Sequence, residues 1–96
     1  MNRTRFIVAY DIAHPKRLRL TAKICESFGT RIQYSVFECP LTGVQVQEMK
    51  AALDQTIKDD EDQVLFIALG PETSQTAFRI EAMGKPYHER SRVTIV

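Results

Sequence analysis

The chain has 96 residues, 44% of them hydrophobic and 26% charged, with four glycines, four prolines and two cysteines. That length holds one hydrophobic core, so a single domain over residues 1–96 is expected; the composition excludes a disordered or low-complexity chain, and no apolar run nears the ~18 residues of a spanning helix. The net charge of +1 conceals a division: residues 1–33 carry seven basic and two acidic side chains, net +5, whereas residues 34–96 carry six and ten, net −4. The amino-terminal third is thus the end suited to face phosphates.

Arg5–Tyr10 is short, nearly continuous in apolar residues and rich in β-formers, which predicts a buried central strand ending at Asp11. His14-Pro15 opens a helix, because proline suits a first position whose N–H is unpaired anyway. Leu18, Ala22, Cys25 and Phe28 give that helix its apolar stripe, widened by Leu20 and Ile24, and Gly29 is expected at C′. Thr30–Gln33 and Tyr34–Cys39 follow as two strands or one bent strand, reversing near Gln33-Tyr34, with Pro40 as the break.

Thr42 and Gln45 fit a capping box, so a second helix starts there and buries Val46, Met49, Leu53 and Ile57. Asp59–Asp62 is a run of four acidic residues placed against a helix's negative end, which predicts a solvated loop. Val64–Leu69 is a second apolar strand closed by Gly70-Pro71, and Phe78–Ala82 alternates like a half-exposed strand before Gly84-Lys85-Pro86. The order predicts an α+β, ferredoxin-like βαββαβ fold: an antiparallel sheet with two helices on one face. The last four residues, Val93–Val96, form β-prone sequence too short to stand alone. An edge on a second copy would accept them, which suggests a homodimer with exchanged termini; a frayed tail is the alternative.

No nucleophile constellation and no glycine-rich phosphate loop is present, and His14 and His88 stand in no catalytic motif. The acidic run lacks the glycine and ligand spacing of a calcium loop. Cys25 and Cys39 read as buried reduced thiols, and residues 1–5 enter a strand with no small-residue cleavage site, so a cytoplasmic protein without membrane attachment is expected. Asp11, where a buried strand exits, is either a turn or helix cap or a metal ligand. In a twofold dimer two copies of Asp11 would meet and hold one Mg²⁺, which also accepts waters and phosphate oxygens.

Lys16, Arg17 and Arg19, with Lys23 further on, occupy the early turns of the first helix, where the dipole favours anions. Phosphate contact by these residues and by Arg31 would be salt-dependent and indifferent to sequence; a polar outer helix face is the plainer reading. Tyr10, Tyr34 and Phe37 suit core or interface positions better than base stacking, since the glycine-and-aromatic signature of RNA-recognition motifs is missing.

Val8-Ala9-Tyr10-Asp11-Ile12, the basic helix and Gly29-Thr30-Arg31-Ile32-Gln33-Tyr34-Ser35-Val36-Phe37-Glu38 together closely resemble the CRISPR-associated Cas2 family, over most of the chain. The resemblance implies a ferredoxin-like homodimer that assembles with the CRISPR integrase subunit and helps hold protospacer DNA. It also implies a metal-dependent nuclease acting on RNA or double-stranded DNA. By that match Asp11 is the catalytic and metal residue with Tyr10 beside it. Lys16, Arg17, Arg19 and Arg31 correspond to nucleic-acid contacts, and Ser35 and Phe37 lie near the dimer cleft. Members differ in whether they cut, so a nuclease-inactive scaffold bridging integrase dimers is the alternative. A ferredoxin-like small-molecule sensor is a third class, which the basic face argues against.

Overall fold

The computed structural model describes residues 2–72 and 81–86. The chain runs β1 (Thr4–Asp11), α1 (Pro15–Phe28), β2 (Thr30–Gln33), β3 (Val36–Leu41), α2 (Gly43–Asp54) and β4 (Gln63–Pro71). All strand pairs are antiparallel and the sheet order is β2-β3-β1-β4. This is the ferredoxin-like arrangement expected from the element order. Phe78–Ile80 and Val93–Val96 lie outside the described residues, and Glu81 and Ala82 belong to no strand.

Alternation along the strands decides which side is buried. Val8 and Tyr10 of β1, with Phe37, Cys39 and Leu41 of β3, point to the helices and meet Thr21 and Cys25 of α1 and Met49 and Leu53 of α2. Val8 lies opposite Phe37, and Phe6 opposite Cys39, so these residues share one face. Leu18, Ala22, Ile24 and Phe28 pack against this core as the helix stripe requires, but Leu20 is exposed, and the wholly enclosed Thr21 takes the inward place.

Both helix starts follow local chemistry. His14 caps α1, its Nδ1 accepting the Lys16 N–H at 3.1 Å, with proline in the first turn. At α2 the Thr42 hydroxyl accepts the Gln45 N–H at 3.2 Å, and the Gln45 side-chain oxygen accepts the Thr42 N–H at 2.9 Å. This is the expected capping box. Val46 packs against the core, while Ile57 lies beyond the end of α2, which stops at Asp54.

Three local expectations are corrected. Gly29 is extended (φ −162°, ψ −165°) and not left-handed; glycine is needed there because a Cβ would run into the Glu38 carbonyl and the Cys39 Sγ, with the Cys39 Cα at 2.9 Å. Pro40 does not break β3, which continues to Leu41. Pairing with β2 ends where Thr30 faces Glu38, so on that side no described strand requires the missing N–H of Pro40. In the acidic run Asp59, Asp60 and Glu61 are exposed as expected, and the correction concerns Asp62, which is tied down by hydrogen bonds, as described below. In β4, Gly70 adopts φ +116° at the register shift where Arg5 faces Gly70 while Phe6 faces Ala68.

Candidate functional site

β1 is flanked by β3 and β4, and it delivers Asp11 at its carboxyl end, opposite Gln63. Asp11 is exposed. It falls in register with Ile7 and Ala9, on the sheet side away from the helices. Opposite them on β4 stand Leu65 and Ile67, each 46% exposed, followed by Leu69 at 50%. The helices leave that side open as a largely apolar surface, which the Arg5–Glu38 ion pair crosses at 3.3 Å.

The two sequence motifs meet at Tyr10. Its N–H donates to the Ser35 carbonyl at 3.1 Å and its hydroxyl to the Tyr34 carbonyl at 3.2 Å, which holds the β2–β3 turn against the end of β1. The Tyr10 ring stacks on Phe37 with centroids 6.2 Å apart and planes at 26°. Arg31 lies over Phe37 at 5.1 Å and over Tyr34 at 6.0 Å. Burial raises the pKa of the Tyr10 phenol, and its hydrogen bond with Arg31 partly offsets that. Tyr10 and Phe37 are buried, so of the three aromatics only Tyr34, 71% exposed, presents a ring to solvent.

The predicted basic residues separate into different environments. Lys16 and Arg19 are exposed on α1, as is Lys23. Arg31 stands on β2 opposite Phe37, on the helix side of the sheet, and so across the sheet from the face that carries Asp11. Arg17 turns to the chain itself: its Nε donates to Asp62 Oδ2 at 2.7 Å and its Nη2 to Glu61 Oε1 at 2.9 Å. Arg5 is likewise committed, to Glu38. The amino-terminal excess of positive charge is thus smaller at the surface than the sequence count indicates.

Asp62 was not singled out from sequence, and nothing local to it marks it. Its side chain is sealed from solvent, and its carboxylate accepts the Ala13 N–H at 2.9 Å, the Lys58 N–H at 2.8 Å and the Arg17 fork. Those bonds hold its carboxyl far below the ordinary carboxylate range, Arg17 contributing most. Glu61 is lowered too, by Lys58 first and then Arg17.

Among the described residues no three His, Cys, Asp or Glu side chains gather as a metal site. Asp11 is a hard oxygen donor of the kind Mg²⁺ prefers, and one carboxylate suffices only where water, phosphate or another chain supplies the rest. Cys25 and Cys39 are buried and are not joined in a disulfide. Burial pushes the Cys25 thiol up to about 12, which removes it as a ligand or nucleophile at neutral pH.

The family model for CRISPR associated protein Cas2 matches residues 4–77 of this chain. The chain belongs to the Cas2 family. This Cas2-family chain is 35% identical over 91 residues to CRISPR-associated endoribonuclease Cas2 1 of Rhodospirillum rubrum, covering 95% of the chain and 88% of that relative. It is also 35% identical over 69 residues to the CRISPR-associated endonuclease Cas2 of Halalkalibacterium halodurans, covering 67% of the chain and 72% of the relative. Among solved structures it is similar to Streptococcus pyogenes Cas2 at pH 6.5, with a TM-score of 0.70, 38% identity, and coverage of 83% of this chain and 99% of that one. Among the described residues no helix is long and apolar enough to cross a membrane.

Proposed function

We propose that this chain is a metal-dependent endonuclease of CRISPR adaptation. It acts as a homodimer that hydrolyses phosphodiester bonds in RNA or double-stranded DNA and serves beside the CRISPR integrase subunit. The observation that carries this reading is the position of Asp11: exposed, at the end of an interior strand, on the apolar side of the sheet away from the helices. A second copy packed on that side would bring two Asp11 carboxylates together, and one Mg²⁺ would relieve their repulsion. The relatives' names, endoribonuclease and endonuclease, support the reaction class.

Each residue then has a task. Asp11 holds the ion, and the exposed Lys16 and Arg19 bind phosphates without reading sequence. Tyr10 keeps the end of β1 fixed against the β2–β3 turn, and Arg31 supports that aromatic cluster from the helix side. A bound divalent ion supplies polarisation of a phosphate oxygen and a water of lowered pKa. One ion held by two Asp11 side chains would give little leaving-group stabilisation, so slow turnover is expected.

Asp11→Asn is expected to abolish cleavage of a duplex or RNA oligonucleotide in Mg²⁺ while sedimentation still gives a dimer; retained cleavage would remove Asp11 from the mechanism. A second reading, a nuclease-inactive scaffold bridging integrase dimers, draws on the single carboxylate that each chain offers the ion. Salt-sensitive DNA binding with no Mg²⁺-dependent cleavage by the wild-type chain would favour it.

A further inference from the structure

The segment between β1 and α1 is pinned at both ends by one short stretch, Asp62-Gln63. Gln63 pairs with Asp11 in the sheet ladder, and the preceding residue, Asp62, accepts the Ala13 N–H at 2.9 Å. Only Ile12 separates the two anchored positions. Asp62 is itself fixed from the other side by the Lys58 N–H at 2.8 Å and by Arg17, whose Nε lies 2.7 Å from Oδ2 and whose Nη2 lies 3.3 Å from Oδ1.

We propose that Asp62 and Arg17 form a positioning pair for Asp11: the Asp62 carboxylate, locked by the Arg17 fork, holds the backbone at Ala13 and so sets where the Asp11 carboxylate projects. Arg17 serves this pair instead of contacting phosphate. The inference rests on the role given to Asp11 above.

Two physical points support it. Charge-assisted, forked hydrogen bonds are shorter and stronger than neutral ones and fix orientation as well as distance. A shift of about 1 Å at a reacting group can lower a rate about a hundredfold, so a backbone anchor two residues from the metal-holding carboxylate matters for chemistry. To reach a phosphate, Arg17 would abandon a sealed carboxylate and leave that anion unpaired, a strongly unfavourable exchange. Lys16 precedes Arg17 and Arg19 follows it by two positions; both are exposed, and among the described residues neither forms an ion pair of this kind. They are the phosphate-facing residues of this helix.

The test compares full-length wild type with Arg17→Met, Arg17→Lys, Asp62→Asn, the Arg17→Met/Asp62→Asn double variant, Lys16→Met and Asp11→Asn. Three quantities are read: kcat and KM for Mg²⁺-dependent cleavage of one oligonucleotide, its Kd against salt concentration in EDTA, and amide exchange at Ala13. Arg17→Met and Asp62→Asn should each lower kcat at least tenfold and speed exchange at Ala13. Kd and its salt slope should stay within about twofold of wild type.

The double variant should be no worse than either single one, and Arg17→Lys, which keeps the charge but not the fork, should be intermediate and folded even if Arg17→Met is not. Lys16→Met should weaken binding and reduce the salt slope by about 1. A reduced slope in Arg17→Met with unchanged kcat in Asp62→Asn makes Arg17 a phosphate contact and overturns the proposal. Inactive Asp11→Asn alongside Arg17→Met and Asp62→Asn at wild-type kcat overturns the positioning role alone. Full cleavage by Asp11→Asn, or none by wild type, overturns the role of Asp11 and the positioning role with it.

Discussion

Thr21 sits on the inner side of α1, wholly enclosed, and its Oγ1 has no hydrogen-bond partner among the described residues. Leaving a buried hydroxyl unpaired costs about 1–3 kcal/mol, and valine has nearly the same shape. Thr21→Val is therefore expected to raise stability by about 1 kcal/mol in urea denaturation, and a loss of stability would show that the hydroxyl is paired in solution. Gly29 makes the opposite case. An alanine there would meet the Glu38 carbonyl and Cys39, both part of a strand held in the middle of the sheet. Gly29→Ala is expected to cost about 1–3 kcal/mol by the same measurement. The sequence marks Gly29 as special but suggests the wrong reason. A left-handed cap and a close approach both select glycine, and only the packing of α1 onto β3 separates them.

The helices and their caps were the most legible elements, because each signal lies within a few residues of its partner. Thr42 and Gln45 find each other across one turn, and Pro15 enters α1 where its missing N–H costs nothing. The acidic turn before β4 was illegible for the converse reason. Asp62 is held by Ala13 and Arg17, which are 49 and 45 positions away in the chain. A charge run considered alone looks solvated, and its long-range partners decide otherwise.

A pH dependence follows for this turn. The Asp62 carboxyl is depressed in the folded chain, so its contribution is complete above the ordinary carboxylate pKa of about 3.9. It is lost progressively as pH falls below that value toward the folded one, because the unfolded chain takes up the proton first. Thermal melts of wild type should fall between about pH 4 and about pH 2, while Asp62→Asn should show a flatter profile from a lower Tm at neutral pH. Parallel profiles would mean that the carboxylate gains nothing from its partners.

For the whole molecule, the informative feature is the side of the sheet that the helices leave bare. β4 is the edge strand of the described sheet, yet Leu65, Ile67 and Leu69 face outward as apolar side chains opposite Ala9, Ile7 and the Arg5 region. Edge strands and open faces of this kind invite a second chain. Ile67→Asp is expected to leave the monomer folded, at a cost of about 1 kcal/mol or less because the side chain is already half-exposed. It should convert the proposed dimer to monomer by sedimentation and abolish cleavage, since one Asp11 alone holds the ion poorly. A dimeric, active Ile67→Asp variant would place the interface elsewhere.

Local and nearest-neighbour forces act over a few residues, and these the sequence determined by itself: both strand-helix units, the capping box, the buried thiols and Asp11 at a strand exit. The family also was readable there, from the Val8–Ile12 and Gly29–Glu38 motifs. Tertiary structure alone decided that Arg17 and Arg5 spend their charge inside the chain, that Tyr34 stays exposed while Tyr10 and Phe37 enter the core, and that Asp62 is an anchor. The reason is that hydrogen-bond and ion-pair partners are chosen by proximity in space, and the antiparallel crossing of β1 and β4 brings together residues that the chain holds far apart.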